Sequence, residues 1–211
     1  VSNTVPLFSF NKSGVAVADL IYHLAITDDL WTLGQNPYSV AGQLATTSRL
    51  AGTTFETAMP VGQLPPAFFL LGPLAALAQV NLEAICGLWV LLSVSILAWP
   101  LLGLILQLPS IKLRAIFSVI FAAPLLSVTG IHAIFLGQTA LLAAGTLLLL
   151  TISASADNRH RLRLSEATLL VWSVLTLSLK PYYLLLGVFT LVAFRRWSWL
   201  LVASVLWLLL S

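Results

Sequence analysis

The sequence predicts an all-α protein, a polytopic membrane helix bundle, and three observations favour this class. Of its 211 residues, 59% are hydrophobic and 8% are charged, whereas soluble domains are about 25% charged. The mean hydropathy of the chain is +1.00. From residue 66 onward, apolar stretches alternate with short polar or proline-containing turns, which indicates about six to seven hydrophobic helices.

Residues 1–65 have a different composition, and we predict that they form a separate water-facing loop ahead of a helix bundle over 66–211. The loop is rich in Thr, Ser, Gln and Asn and carries many of the charged residues, namely Lys12, Asp19, Asp28, Asp29, Arg49 and Glu56. The sequence does not begin with Met and stops at Ser211, directly after an apolar run. We therefore expect a piece of a longer protein, inactive by itself.

Within the loop, the spacing of apolar residues predicts an amphipathic helix over 13–33. Gly34 is suited to end this helix, because glycine readily adopts the left-handed conformation of a helix terminus. Asp19, His23 and Thr27 follow one another at four-residue intervals and form a polar stripe. Such a helix would lie along the membrane surface with this stripe turned toward a cavity.

The hydrophobic segments of the bundle are predicted at 66–79, 83–107, 115–130, 139–153, 167–179, 182–194 and 197–210. A helix that crosses the hydrocarbon core needs about 20 residues. Because several of these segments are shorter, we expect tilted or half-spanning helices among them.

Basic residues cluster in the turns 112–114, 159–163 and 195–196. The excess of Lys and Arg in cytoplasmic loops places these turns inside the cell. Gln138 and Lys180 then lie at the opposite, extracytoplasmic face.

The segment 66–79 leaves two topologies open. A full crossing there would put residues 1–65 in the cytoplasm, on the wrong side from Lys180. Either this segment is re-entrant and broken at Gly72-Pro73, or the turn 112–114 lies outside and the crossings after it are miscounted.

Several classes of function are disfavoured by the composition and the missing motifs. The small net charge of +3 sits in short basic clusters, which indicates membrane orientation rather than nucleic-acid binding. Cys86 is the only cysteine, so no disulfide or Cys/His zinc site is expected. The adjacent Asp28 and Asp29 diverge on a helix and lack the D-x-D spacing of metal-dependent nucleotide-sugar enzymes. No nucleotide or cofactor motif is present, and we expect neither a metal nor a cofactor.

Lys180 and Asp19 are the main candidates for chemistry. Lys180 lies in "LSLKPYYL", inside an apolar region where a lysine costs at least ~2.5 kcal/mol. Its ammonium could neutralise the phosphate of a lipid carrier at the bilayer rim, or it could only anchor the helix at the interface. Asp19 could take a proton from an acceptor hydroxyl, or it could be a solvated carboxylate. His23, His132 and Gln138 could each bind a ligand or form a structural hydrogen bond.

Five motifs occur in order along the chain. Asp19 and Tyr22 are followed by "LGQNPY" at 33–38, "LPPAFFLLGPLAAL" at 64–77, "FLGQTALLAAGTLLLL" at 135–150 and "LSLKPYYLLLGVFTLVAFRRW" at 177–197. Together they resemble the GT-C superfamily of membrane glycosyltransferases, and most closely glycosyltransferase family 87, the polyprenyl-phosphate-mannose-dependent type. The likeness covers about residues 15–197, with Ala140 at a position where the family usually has Asn and Pro65 where it often has Tyr.

The resemblance implies a GT-C-like fold and a concrete activity. A hexose, mannose by the likeness, would move with inversion from a polyprenyl phosphate to a lipid or glycan acceptor, on the extracytoplasmic side of the plasma (inner) membrane. Asp19 matches the family's catalytic base, and Lys180 and Gln138 match its Lys-Pro and Gly-Gln motifs. We expect four further residues in the substrate site, namely Tyr22, His23, Tyr38 and His132. The family topology also places residues 1–65 outside.

Two other functions stay open from the residues alone. In a secondary transporter, Lys180, Asp19 and Gln138 would bind substrate or couple to protons near a central cavity. The large polar loop argues against a transporter, in which such loops are usually short. In a non-catalytic membrane scaffold, the ordered motifs would be coincidental.

Overall fold

The computed structural model describes residues 18–51, 62–127, 131, 139–155 and 165–211. All regular structure within these ranges is helical, which confirms the all-α prediction. The helices are α1 (Ala18–Leu33), α2 (Val40–Ala51), α3 (Pro65–Ala78), α4 (Leu82–Leu106), α5 (Ile111–Leu126), α6 (Ala140–Ser155), α7 (Glu166–Leu177), α8 (Pro181–Ala193) and α9 (Trp197–Leu209).

Short-range signals in the sequence set where most of these helices begin. The side chains of Asn81, Ser110 and Ser165 each accept a hydrogen bond from a backbone N–H in the first turn of α4, α5 and α7. These bonds satisfy donors that a helix start leaves without a partner. Helices α3 and α8 instead begin at a proline, whose missing N–H costs nothing at the first helical position.

The end of α1 follows the predicted turn. Gly34 adopts a positive φ of 64°, as expected for a glycine that terminates a helix. The Asn36 side chain then accepts a hydrogen bond from the N–H of Tyr38 at 2.9 Å. Ser39 accepts one from the N–H of Gly42 at 3.0 Å and thereby caps the start of α2.

Helix α3 is continuous through Gly72-Pro73, so the break that one of the two open topologies places at that point is absent. A Cβ at position 72 would lie 3.1 Å from the indole nitrogen of Trp31. The glycine therefore lets α1 and α3 approach closely. The direction in which 66–79 meets a membrane stays a prediction.

Length separates α4 from the other helices. Among the described residues, α4 is the one helix that is both long and apolar enough to cross a membrane by length and composition. At 25 residues it extends about 37 Å, which exceeds the ~30 Å hydrocarbon core. Helices α3, α6, α7, α8 and α9 are apolar but shorter.

Two hydrophobic clusters hold the helices together. The first joins α1, α3 and the start of α4 with Leu142 and Leu179. The second lies among α6, α7, α8 and α9. The side chain of Ile96 on α4 packs against both clusters.

Helices α4 and α6 approach each other at Gly145. A Cβ at this position would lie 2.7 Å from backbone atoms of Ile96 and Leu97, so only glycine allows the two backbones to pack at this distance. The next residue, Thr146, accepts hydrogen bonds from the Trp172 indole at 3.0 Å and from the Thr176 hydroxyl at 3.2 Å. These bonds connect α6 to α7 inside an apolar bundle, as polar side chains do between membrane helices.

The turn between α8 and α9 closes the bundle at the opposite end of α8 from Lys180. The Arg196 guanidinium donates to the carbonyl of Ala154 at 2.9 Å and lies over the ring of Trp199. The Trp199 indole in turn donates to Glu166 at 3.2 Å. These contacts bring together the end of α6, the start of α7 and the start of α9.

The burial of α1 differs from the expected amphipathic pattern. Every side chain from Leu20 to Thr27 is buried, including the polar His23 and Thr27. Two of the three residues expected on a polar stripe, His23 and Thr27, are therefore buried in protein; the side chain of the third, Asp19, lies outside what the structure describes. Helix α1 shares one hydrophobic cluster with α3 and α4, and the division of the chain at residue 65 stays a prediction.

Candidate functional site

His23 lies at the centre of the candidate site, where α1 meets the segment that leads into α3. Its ring is 7% exposed, and its Nδ1 atom is hydrogen-bonded to the side-chain amide nitrogen of Gln63. Because that amide donates, Nδ1 accepts, and the proton of the neutral ring lies on Nε2. The backbone carbonyl of His23 accepts from the Thr27 hydroxyl at 2.7 Å.

The surroundings keep the His23 imidazole neutral. Burial, assisted by the positive charge of Lys180, lowers the pKa of His23 from 6.5 to about 4, and the Gln63 amide opposes the shift. Both main causes act against the charged form, because it loses solvation and meets a like charge. At neutral pH the ring is therefore a hydrogen-bonding group without charge.

Gln63 connects three parts of the site. Its side chain binds His23, and its backbone carbonyl accepts from the Tyr38 hydroxyl at 3.0 Å. The residue is 1% exposed, and its Oε1 atom has no hydrogen-bond partner in the part of the chain that the structure describes. A buried carbonyl oxygen without a partner is costly, so this atom is ready to accept from a donor such as a ligand hydroxyl.

A single backbone hydrogen bond brings the Lys180 turn to this site. The N–H of Leu64 donates to the carbonyl of Ser178 at 2.8 Å. Lys180 follows in extended conformation as the residue that caps α8, and Pro181 begins the helix. The ammonium is therefore attached at the positive end of a helix dipole, where an anion is favoured.

Helix α2 is attached to α1 on another side. The Thr46 hydroxyl donates to a carboxylate oxygen of Asp29 at 2.5 Å, and both residues are buried. The hydroxyl of Tyr22 pairs with Thr47, although burial dominates and raises the pKa of Tyr22 to about 12. Tyr22 therefore keeps its proton and serves the contact between α1 and α2.

Asp28 and Asp29 point in different directions, as predicted from their adjacency. The Asp28 carboxylate accepts from the side chain of Gln79 at 2.7 Å and is partly exposed, whereas Asp29 is buried against Thr46. No group of three or more His, Cys, Asp and Glu that could hold a metal ion occurs among the described residues.

The structure brings some of the predicted site residues together and places others apart. His23 and Lys180 are brought near each other, and Tyr38 joins them through Gln63. Tyr22 lies on the same helix but is directed to α2. The backbone of Asp19 lies in the first turn of α1, one turn before His23; its side chain is outside what the structure describes.

Two further predicted residues, Gln138 and His132, lie outside the described residues. Thr139, the neighbour of Gln138, is described. It lies beside the hydroxyl of Tyr183 in the first turn of α8. The chain after Gln138 is thus adjacent to the helix that Lys180 begins.

Gln63 and Ser178 are site residues that the sequence did not suggest. Gln63 directly precedes the recognised motif that begins "LPPAFF", two residues ahead of Pro65, and Ser178 lies within the motif that begins "LSLKP", three residues ahead of Pro181. A proline requires the preceding residue to be extended, which exposes nearby backbone groups to partners elsewhere. The position of these prolines was the one signal in the sequence that could have indicated Gln63 and Ser178 as site residues.

Comparison with known proteins gives no relative for this chain. No family model, curated protein or solved structure matches it. The functional assignment therefore depends on the residues and their arrangement.

Proposed function

We propose that the chain belongs to a membrane glycosyltransferase that moves a hexose from a polyprenyl phosphate to a lipid or glycan acceptor outside the cytoplasm. The observation that carries the proposal is the convergence of three distant segments, at His23, Gln63 and Ser178 to Lys180. The third segment belongs to one of the ordered motifs, and His23 and Gln63 lie directly beside two others. Together they supply a cation, a neutral ring and an amide oxygen that has no partner among the described residues.

The surface of the bundle supports a membrane location. Large apolar side chains of α4 are widely exposed, including Leu88, Leu91, Trp99 and Leu102, which are 47–65% exposed. Helices α8 and α9 show the same pattern, as at Phe189 and Leu209. Soluble proteins rarely expose contiguous apolar surface of this extent, whereas a helix in lipid is expected to.

The proposed reaction is a single displacement at the anomeric carbon. The bond from this carbon to the phosphate oxygen breaks, and a new bond forms to the acceptor oxygen on the opposite face of the sugar, which inverts the configuration. Asp19 takes the acceptor's proton. Lys180 stabilises the charge that develops on the departing phosphate monoester.

The neutral His23 suits this arrangement. A protonated imidazole would repel Lys180 and compete with it for the phosphate. The Gln63 amide oxygen is free to accept from a sugar hydroxyl, and this contact would orient the donor.

The test follows label from radiolabelled polyprenyl-phosphate mannose into lipid or glycan products, with the full-length protein in membrane vesicles. We expect Asp19→Asn to lower transfer by about 100-fold or more, as for loss of a general base. Lys180→Ala should lower it by a similar factor. Lys112→Ala is the matched control, since Lys112 is an exposed lysine in the first turn of α5.

Transfer that persists in Asp19→Asn at equal protein level would remove Asp19 as the base, and Asp28→Asn would then be the next variant. If neither mannose nor any other polyprenyl-linked sugar in a panel is transferred, while vesicles accumulate solute in a Lys180-dependent way, the transporter alternative is correct.

A further inference from the structure

A cavity of about 360 Å³ lies between α6, α7, α8 and α9, apart from the His23 site. Its walls are almost entirely apolar and include Leu150, Val174, Leu184, Leu191 and Ala203. Along α8 it reaches from Leu184 to Leu191, a rise of about 10 Å. The apolar lining and this length along α8 suit a hydrocarbon chain rather than a sugar.

The volume sets the size of that chain. A dry apolar cavity of about 150 Å³ holds one benzene molecule, so this cavity would hold roughly 14 carbon atoms. This corresponds to most of one fatty acyl chain.

Two hydrogen-bond donors in the cavity wall have no partner within the described ranges. The hydroxyl of Ser173 on α7 and the indole N–H of Trp207 on α9 are buried and unpaired in the part of the chain that the structure describes. Ser173 is 5% exposed. A third polar residue of the wall, Ser204, differs from them, because its hydroxyl donates to the carbonyl of Leu200 at 2.8 Å.

An indole N–H can only donate, and a buried donor without an acceptor is costly. The occupant should therefore carry an acceptor oxygen within its apolar part. A polyprenyl chain has none, since its oxygens are confined to the phosphate end. An acyl ester has a carbonyl oxygen at the start of its hydrocarbon chain.

We propose that this cavity binds one acyl chain of an ester lipid, with the ester carbonyl accepting from Ser173 or Trp207. The site goes beyond the proposed transferase activity, because it is built by other residues and could bind lipid in a protein of any activity. It also separates two lipid classes: the polyprenyl phosphate belongs at Lys180, and the acyl chain belongs here.

The experiment uses the full chain in detergent micelles and a phosphatidylcholine with a photoactivatable diazirine in one ester-linked acyl chain. Cross-linked peptides are mapped by mass spectrometry. Unlabelled competitors are the ester lipid, its dialkyl-ether counterpart and polyprenyl phosphate. We expect label on the four wall helices, α6 to α9, and displacement by the ester lipid at about 2- to 10-fold lower concentration than by the ether lipid, the effect of one hydrogen bond.

Two pairs of variants separate the polar and apolar parts of the proposal. Ser173→Ala and Trp207→Phe should reduce the preference for ester over ether lipid, whereas Ser204→Ala should not, since that hydroxyl is already bonded. Ala203→Phe fills the cavity and should abolish labelling. Val205→Phe places the same aromatic side chain on the exposed face of α9 and should leave labelling unchanged.

Several outcomes would overturn the proposal. They are label outside α6 to α9, equal labelling of Ala203→Phe and Val205→Phe, and equal competition by ester and ether lipids. Competition by polyprenyl phosphate as strong as by the ester lipid would assign the cavity to the polyprenyl chain. If no label is found, side chains of the protein itself fill the cavity in solution, and the proposal is wrong. Thermal denaturation identifies any variant that does not fold. In that case the competition between ester and ether lipids on the unaltered chain still tests the proposal.

Discussion

The contact between α4 and α6 allows a sharp test of the packing, through Gly145→Ala. The added methyl carbon would lie 2.7 Å from three backbone atoms of Ile96 and Leu97. Ordinary contact between such atoms is about 3.5–4.0 Å. Backbone cannot rotate away as a side chain can, so the two helices must separate by nearly an ångström.

The expected magnitude combines two opposing effects. Overpacking of this kind costs about 1–3 kcal/mol. Alanine also favours a helix over glycine by about 1 kcal/mol, which hides part of the cost. The control Gly103→Ala removes this second effect, because Gly103 lies inside α4 with no atom within 4 Å of the added carbon. The free energies of unfolding of the two variants should therefore differ by about 1–3 kcal/mol.

The assay is thermal unfolding of both variants in the same detergent, followed by near-ultraviolet circular dichroism. For a chain of this size, each kcal/mol corresponds to about 2–4 °C in Tm. Gly145→Ala should unfold at least 2 °C below Gly103→Ala, and Gly103→Ala should equal or exceed the unaltered chain. A Gly145→Ala variant as stable as Gly103→Ala would refute the close approach of the two helices.

Three further predictions concern α1 and its partners. As pH falls from 6.5 toward 4, unfolded His23 takes up a proton before folded His23 does, so the free energy of unfolding should fall by about 3 kcal/mol. Denaturant titrations at several pH values should show this decrease in the free energy of unfolding. The variant His23→Gln should show a smaller decrease. Gln63→Glu places a carboxylate beside the ring and should raise the pKa of His23, so the variant should lose less stability at low pH. The pKa is measured by NMR titration of the histidine ring. A pKa of His23 that does not change in this variant would contradict the contact between Gln63 and His23. Thr46→Val removes the hydrogen bond to buried Asp29 and should cost about 1.5–3 kcal/mol in urea unfolding, whereas Thr32→Val, which loses only a bond to its own helix, should cost less.

Helix positions were predictable because their signals are local. The predicted segments begin and end within a few residues of α3 to α9, since prolines and capping side chains act on the first turn that follows them. Pro73 shows the limit of this approach. A proline predicts a kink or a break from sequence, but α3 continues because packing against α1 and α7 holds it.

The interior of the candidate site was less predictable. Asp19, His23 and Thr27 share one face of α1 by spacing alone, and this pattern favoured a surface helix. Gln63, forty residues after His23 in sequence, supplies the side chain that lets His23 be buried. No pattern within α1 carries that information, because the partner and its hydrogen bond exist only in the tertiary structure.

The hydrogen bond between Leu64 and Ser178 has a consequence for synthesis of the protein. The two residues are 114 positions apart in the chain, and a ribosome adds about 5–20 residues per second. Gln63 and the end of α7 therefore cannot meet until roughly 6–23 seconds after the first segment has emerged. During that interval His23 and Gln63 lack the turn that carries Lys180, and a chaperone that shields apolar helices would find α1 available.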